Sequence, residues 1–197
     1  MEGAVEIRTE VRAPRPVGLS ASTICEAFQL TAAERADQVA LRTIGDALSI
    51  TFGEYTGRVR RLAGGFHALG VRQGDTVGSM LTNRPKFHLL DTAAMHLGAT
   101  PFSIYNTSSV DQIEFPLRVA GNRVMAAFLE RARKAMEHVA TVEHLIVVDA
   151  VVGEAILIEE LERGTEAEPD EARRTGILQG PRARRRLASH RRRRAAR

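Results

Sequence analysis

Thr51-Phe-Gly-Glu-Tyr-Thr-Gly-Arg-Val-Arg-Arg-Leu-Ala-Gly-Gly-Phe-His-Ala-Leu-Gly70, followed by Val71-Arg-Gln-Gly-Asp-Thr-Val-Gly-Ser-Met-Leu81, contains one strongly marked helix and the strand after it. Thr51 and Glu54 have the spacing of a capping box, in which each side chain satisfies a backbone N–H that the helix start leaves open. Tyr55, Val59, Leu62, Phe66 and Leu69 recur at helical period and form one apolar stripe. Gly70 stands where a C-terminal glycine cap belongs, Gly74-Asp75 turns the chain, and Thr76 to Leu81 reads as a strand.

The same alternation continues downstream. Pro85 suits the first turn of a helix ending at Gly98, with Phe87, Leu90, Ala94 and Leu97 inward, and Ala99 to Tyr105 is the next strand. Ser109-Val-Asp-Gln112 is a second capping-box spacing. It opens a helix towards Ala120 that Pro116 should strain or kink, and Gly121-Asn122 ends it. Arg123 to Phe128 reads as a strand, Leu129 to His138 as a helix, and His144 to Asp149 as a strand whose apolar run Leu145 to Val148 suits a parallel sheet. Upstream, Val39 to Ile44 and Leu48 to Thr51 flank a Gly45-Asp46 turn and predict a hairpin. Before it, Ser22 can cap a helix carrying Ile24, Ala27, Phe28 and Ala32. The fold class expected is α/β: a partial layered sheet with helices on both faces and a disordered C-terminal tail. The expected divisions are a leader at 1–21, the α/β unit at 22–162, and an Arg-rich tail at 163–197.

Composition narrows the class further. The chain has 197 residues, 44% hydrophobic and 26% charged, enough for one domain with a sizeable core. Its apolar runs fall far short of the ~18 residues of a membrane span, and its charged opening residues carry no secretory pattern. A single cysteine, Cys25, fits a reducing compartment, so the expected location is cytoplasmic. The net charge of +4 hides an asymmetry: Pro181 to Arg197 holds nine arginines and no acid, while the rest carries 19 Lys+Arg against 24 Asp+Glu. Lys86 and Lys134 are the only lysines.

No chemical motif stands out. Neither Gly-x-Gly-x-x-Gly nor a P-loop occurs, and Gly70, Gly74 and Gly78 read as caps or turns. Gly78-Ser-Met-Leu81 fails as a nucleophile elbow, and Cys25 reads as a small core residue. His88, Thr92 and His96 are spaced by four with Asp91 beside them, a spacing that could ligate metal. They lie opposite the apolar stripe and read as a solvated face. Glu137-His138 and Glu143-His144 are sequence neighbours that do not face each other, and no catalytic role is assigned to them. The tail could bind nucleic acid or anionic lipid nonspecifically, but it has no aromatic residue for stacking bases.

From Thr51-Phe-Gly-Glu-Tyr through Asp75, the sequence resembles the opening of the AMP-forming acyl-CoA synthetases, the adenylate-forming superfamily. The resemblance continues through Thr76-Val-Gly-Ser-Met-Leu-Thr-Asn-Arg-Pro85 and Ala94-Met-His-Leu-Gly-Ala-Thr-Pro101. Ser103-Ile-Tyr-Asn-Thr-Ser-Ser109 with Asp111-Gln112 is similar to the long-chain fatty-acid branch, and the whole resemblance spans Ser22 to Glu162.

This resemblance implies a cytoplasmic or membrane-peripheral ligase that joins ATP to a fatty acid, releases pyrophosphate and passes the acyl-adenylate to coenzyme A with magnesium present. ATP, magnesium and coenzyme A are thus implied for the full-length family, and no cofactor for this chain. Family members carry a Ser/Thr/Gly-rich phosphate loop ending in lysine, later adenine and ribose motifs, and a lysine in a C-terminal lid. Neither Lys86 nor Lys134 lies in a matching context, so no catalytic, cofactor-binding or metal residue is carried over. The switch near Gly164 to Arg, Ala, Pro and Gly is what an out-of-frame reading of GC-rich DNA would give. The expectation is a truncated or frameshifted long-chain fatty-acid–CoA ligase, inactive as this chain. The alternatives are a subunit that complements a separately encoded ligase remainder, or a basic-tailed module binding nucleic acid or anionic lipid.

Overall fold

The Thr51 capping box is formed as the spacing predicts. Thr51 Oγ1 accepts from the Glu54 N–H at 3.2 Å, and the Glu54 carboxylate accepts from the Thr51 N–H at 2.8 Å. The structure is a computed structural model that describes residues 15–127, 130–148 and 155–163. From this cap runs α2 (Phe52–Ala68), which buries Tyr55, Val59, Leu62 and Phe66. Gly70 follows it with φ 87°, a left-handed conformation that glycine adopts without strain.

Upstream lie α1 (Ile24–Glu34) and an antiparallel hairpin of β1 (Val39–Arg42) and β2 (Ser49–Thr51). The cap of α1 is Thr23, whose side chain accepts from the Glu26 N–H at 3.0 Å, and not Ser22. Ser22 instead donates its backbone N–H to the Glu26 carboxylate, so the two residues share one capping arrangement. Part of the expected leader also belongs to the fold. Val17–Ser20 forms a 3-10 turn in which Gly18 approaches Ala27 and Thr31 of α1 closely. The rest of the leader, residues 1–14, lies outside the described residues.

Downstream, β3 (Thr76–Met80), α3 (Pro85–His96), β4 (Thr100–Ser103), α4 (Val110–Ala120), β5 (Val124–Ala127), α5 (Glu130–Met136), β6 (His144–Val147), β7 (Ile156–Leu157) and α6 (Ile158–Arg163) follow in order. The five strands from β3 to β7 form one parallel sheet with spatial order β4-β3-β5-β6-β7. Alternate side chains divide between its two faces, as the two-residue period of a strand requires. Val77, Val124, Ala126 and Ile146 join α2, α3 and α6 in one core, with Leu62, Phe66, Leu89 and Ile158 almost fully buried. Met80, Met125 and Ala127 join Ile113 and Leu117 of α4 and Ala132 and Ala135 of α5 in the other. Helices therefore cover both faces of the sheet, as the sequence led one to expect.

Some local expectations differ from the structure. Gly78 is neither a cap nor a turn but lies inside β3, where an added Cβ would crowd Met125, Phe102 and Asn122. The Ser109 capping box forms, and α4 continues through Pro116. The carbonyl that loses its N–H partner there belongs to Gln112, an exposed residue that water can reach. The pair β7 and α6 was not foreseen as structured elements. Of the expected disordered tail at 163–197, Arg163 is the last residue of α6, and residues 164–197 lie outside the described residues.

Candidate functional site

The sheet order locates a site before any side chain is considered. From β3 the chain passes through α3 to β4 on one side, then returns through α4 to β5 on the other. In an open parallel sheet, the carboxyl ends of the strands at such a reversal frame the ligand crevice. Here these are the ends of β3 and β5. The segment after β3 is Leu81 to Arg84, leading into α3; the residues after β5, 128 and 129, lie outside the described residues.

The side chains after β3 are tied to protein partners. Arg84 Nε donates to Thr82 Oγ1 at 2.8 Å, His88 Nε2 donates to Asn83 Oδ1 at 3.1 Å, and Lys86 Nζ reaches Glu159 of α6 at 2.6 Å. At the carboxyl ends of β3 and β4, Ser79 and Ser103 share a 3.2 Å hydrogen bond, and Tyr105, just past β4, is 84% exposed.

The face of His88, Thr92 and His96 is not wholly solvated: Thr92 is buried and His96 half-buried, while the His88 ring reaches Asn83 in an exposed position. The face packs under α1 and α2, because Phe28 and Tyr55 from those helices close over it. The Tyr55 hydroxyl donates to the His88 carbonyl at 3.0 Å and shares a 2.7 Å hydrogen bond with Thr92, which is buried. Phe28 meets Tyr55 and His96 edge-on, with ring centroids 4.9 and 5.6 Å away. His96 Nδ1 donates to the Thr92 carbonyl at 2.7 Å, and its Nε2 is buried without a partner. Burial holds the His96 imidazole below its ordinary pKa and pushes the Tyr55 phenol and the Asp91 carboxyl upward. Each shift disfavours the charged form, and the cluster is a helix-packing device. Among the described residues, no three of His, Cys, Asp and Glu converge as a metal site.

The remaining candidates fall elsewhere. Cys25 is half-buried, with its thiol pKa raised by burial, which suits packing better than nucleophilic attack. His138 donates to Glu114 of α4 and Glu137 pairs with Arg133, while Glu143 pairs with Arg123 at 2.6 Å and keeps only a long 4.0 Å approach to His144 Nε2. Sequence reasoning missed the ion pairs from α6: Glu162 to Arg58 and Glu159 to Lys86 join residues 104 and 73 positions apart.

Residues 28–186 match the AMP-binding enzyme family, running past Glu162, where the resemblance read from the sequence stops. The chain belongs to the AMP-binding enzyme family. It is 42% identical over 128 residues to an uncharacterised protein of Mycobacterium tuberculosis, a match covering 65% of this chain and 73% of that one. To a long-chain fatty-acid–CoA ligase of Mycobacterium bovis it is 35% identical over 69 residues, covering 35% of this chain but 12% of the ligase. Among solved structures, a protein described as a long-chain fatty-acid–CoA ligase of Rhodopseudomonas palustris shares the fold with a TM-score of 0.66. That match has 23% identity and covers 73% of this chain and 37% of the other. The family fold is thus present, and the chain spans a minor part of the ligases it matches.

ATP with magnesium is the group the family name brings to mind, and the described residues do not fit it. Among the described residues no group of three acids and histidines gathers for the metal, and Arg84, Lys86 and His88 have protein partners.

Proposed function

We propose that the chain is the front portion of a long-chain fatty-acid–CoA ligase, in the cytoplasm or at a membrane surface, and that it does not adenylate a fatty acid by itself. The pairing at the carboxyl end of β3 carries this reading. The basic side chains nearest the crevice are held by Thr82 and Glu159, and adenylation needs positive charge and backbone donors around the α-phosphate. The family's ATP, magnesium and coenzyme A would then be held mainly by another part of the ligase fold. The ligase of Mycobacterium bovis supports the fatty-acid assignment.

A lost reading frame and a divided ligase would each give such a chain. The uncharacterised mycobacterial relative favours the divided ligase, because the match accounts for most of that protein as well. The test is fatty-acid-dependent exchange of pyrophosphate into ATP. The chain alone should give none; coexpression with a polypeptide running from the phosphate loop to the lid should restore it. Exchange by the chain alone would refute the reading.

The nine arginines of residues 181–197 favour a second reading, in which the tail retains the chain on nucleic acid or anionic lipid. Deleting Pro181 to Arg197 should then abolish retention at physiological salt, and unchanged retention dismisses it.

A further inference from the structure

The apolar side chains of α4 lie on two opposite faces. Ile113 and Leu117 are fully buried against the sheet. Phe115, two positions and ~200° further round the helix, is 72% exposed, and Val119, one turn on, is 73% exposed. A helix covered on one face ordinarily turns charge outward, and one that is apolar on both faces is made to be buried on both. Tyr105, at the end of β4, adds a second bare aromatic ring near the start of this helix. Polar groups flank the apolar face: Arg118 pairs with Glu114 at 3.3 Å, His138 donates to Glu114, and Asp111 and Gln112 are exposed. Aromatic anchors with a polar rim form the anatomy of a protein interface.

Resting on the proposed function, we propose that this outer face of α4, with Tyr105, is where a separately supplied remainder of the ligase fold docks. The solved relative indicates the occupant, because this fold fills 37% of that chain and the other part must pack against it to make an enzyme. Residues 164–197 are a poor occupant. They follow α6 beside β7, the sheet edge opposite β4, and carry eleven arginines against three large aliphatic residues, Ile177, Leu178 and Leu187. The docking works through side chains and not by strand addition. Along the edge strand β4, Thr100 and Ile104 turn their N–H groups inward to Asp75 and Ser79, so the outward donor position between them falls partly on Pro101, which has none.

The test uses the full chain, purified with and without Phe115→Ser and Val119→Ser together, and titrated with the phosphate-loop-to-lid portion of a fatty-acid–CoA ligase from the same genome. Sedimentation velocity should show a one-to-one complex, at least tenfold weaker for the double variant and unchanged for Ile44→Ser, a fully exposed apolar residue on the hairpin. Circular dichroism checks that the variants fold, and hydrogen exchange on the unsubstituted complex should show protection across residues 105–119. Unweakened binding by the double variant, without that protection, overturns the docking surface and leaves the proposed function standing. Failure of the unsubstituted chain to bind overturns the docking surface and the divided-ligase reading together, and leaves the front-portion assignment to the pyrophosphate-exchange test. A homodimer that the double variant abolishes makes a second copy the occupant and overturns this inference alone.

Discussion

Leu161 of α6 sits in the notch that Gly65 leaves near the C-terminal end of α2, so closely that a Cβ on residue 65 would collide with the leucine side chain. In an exposed helix, replacing glycine by alanine gains about 1 kcal/mol. At residue 65 the sign should reverse, because overpacking a filled contact costs about 1–3 kcal/mol. Gly57 in the same helix is the control: a Cβ there meets only the end of Arg61 at 3.7 Å, an ordinary contact. Urea unfolding should show a lower midpoint for Gly65→Ala and a higher one for Gly57→Ala. A gain for both would show that α6 does not pack on α2.

The same interface carries a forked ion pair. Arg58 donates from Nη2 to Glu162 Oε1 at 2.7 Å and from Nε to both carboxylate oxygens at 3.1 and 3.2 Å, with Arg61 at 3.9 Å. The Glu162 side chain is 13% exposed, so removing its charge strands a guanidinium in a partly desolvated place. Glu162→Ala should cost about 1–3 kcal/mol, less than a fully buried pair because Arg58 still reaches water. A double-mutant cycle with Arg58→Ala measures the coupling, and a coupling near zero would mean that the pair only decorates the surface.

These contacts mark what the sequence could and could not disclose. Both capping boxes, at Thr51 and at Ser109, were legible because a cap closes over three residues. The sheet was legible for a similar reason: the two-residue and helical periods alternate in strict order, and a parallel sheet needs a crossover between strands. The face of His88, Thr92 and His96 was misread because its cover, Phe28 and Tyr55, comes from other helices at separations that no local period encodes. α6 was missed because its six residues are too few for a periodic signal, and its anchors are Gly65, Arg58 and Lys86. The candidate site was least legible, because the switch between β3 and β5 follows from strand order and not from any motif.

Acid should weaken the fold through His96. The folded protein holds this imidazole below its ordinary pKa because it is part-buried, with Arg60 adding repulsion, while the unfolded chain protonates near ~6.5. Between those values the unfolded state binds more protons, so stability is full above about pH 7 and is lost as the pH falls through 6.5. His138 acts in the opposite sense. The Glu114 hydrogen bond raises its pKa, so its contribution is present at low pH and fades as the pH rises, but the pair is exposed and screened. Urea midpoints measured from pH 7.5 to 5.5 should therefore fall, and His96→Phe should flatten that slope. An unchanged slope would locate the acid sensitivity elsewhere.

Pro101 should suppress self-association along the sheet edge. Among the described residues β4 pairs only with β3, and the inward hydrogen bonds of Thr100 and Ile104 put residues 101 and 103 on the outward side. Proline leaves Ser103 as the outward donor within β4, too little for a second strand to build a ladder. Pro101→Val would restore a donor and a β-branched side chain at a half-buried edge position. The variant should fold with little change in urea midpoint, yet scatter light at concentrations where the unsubstituted chain stays clear. Lys placed at the same position restores the donor but adds a repelling charge, so it should scatter less than Val. Equal scattering from Val and Lys variants would mean that the lost proline ring, and not the restored edge, drives the association.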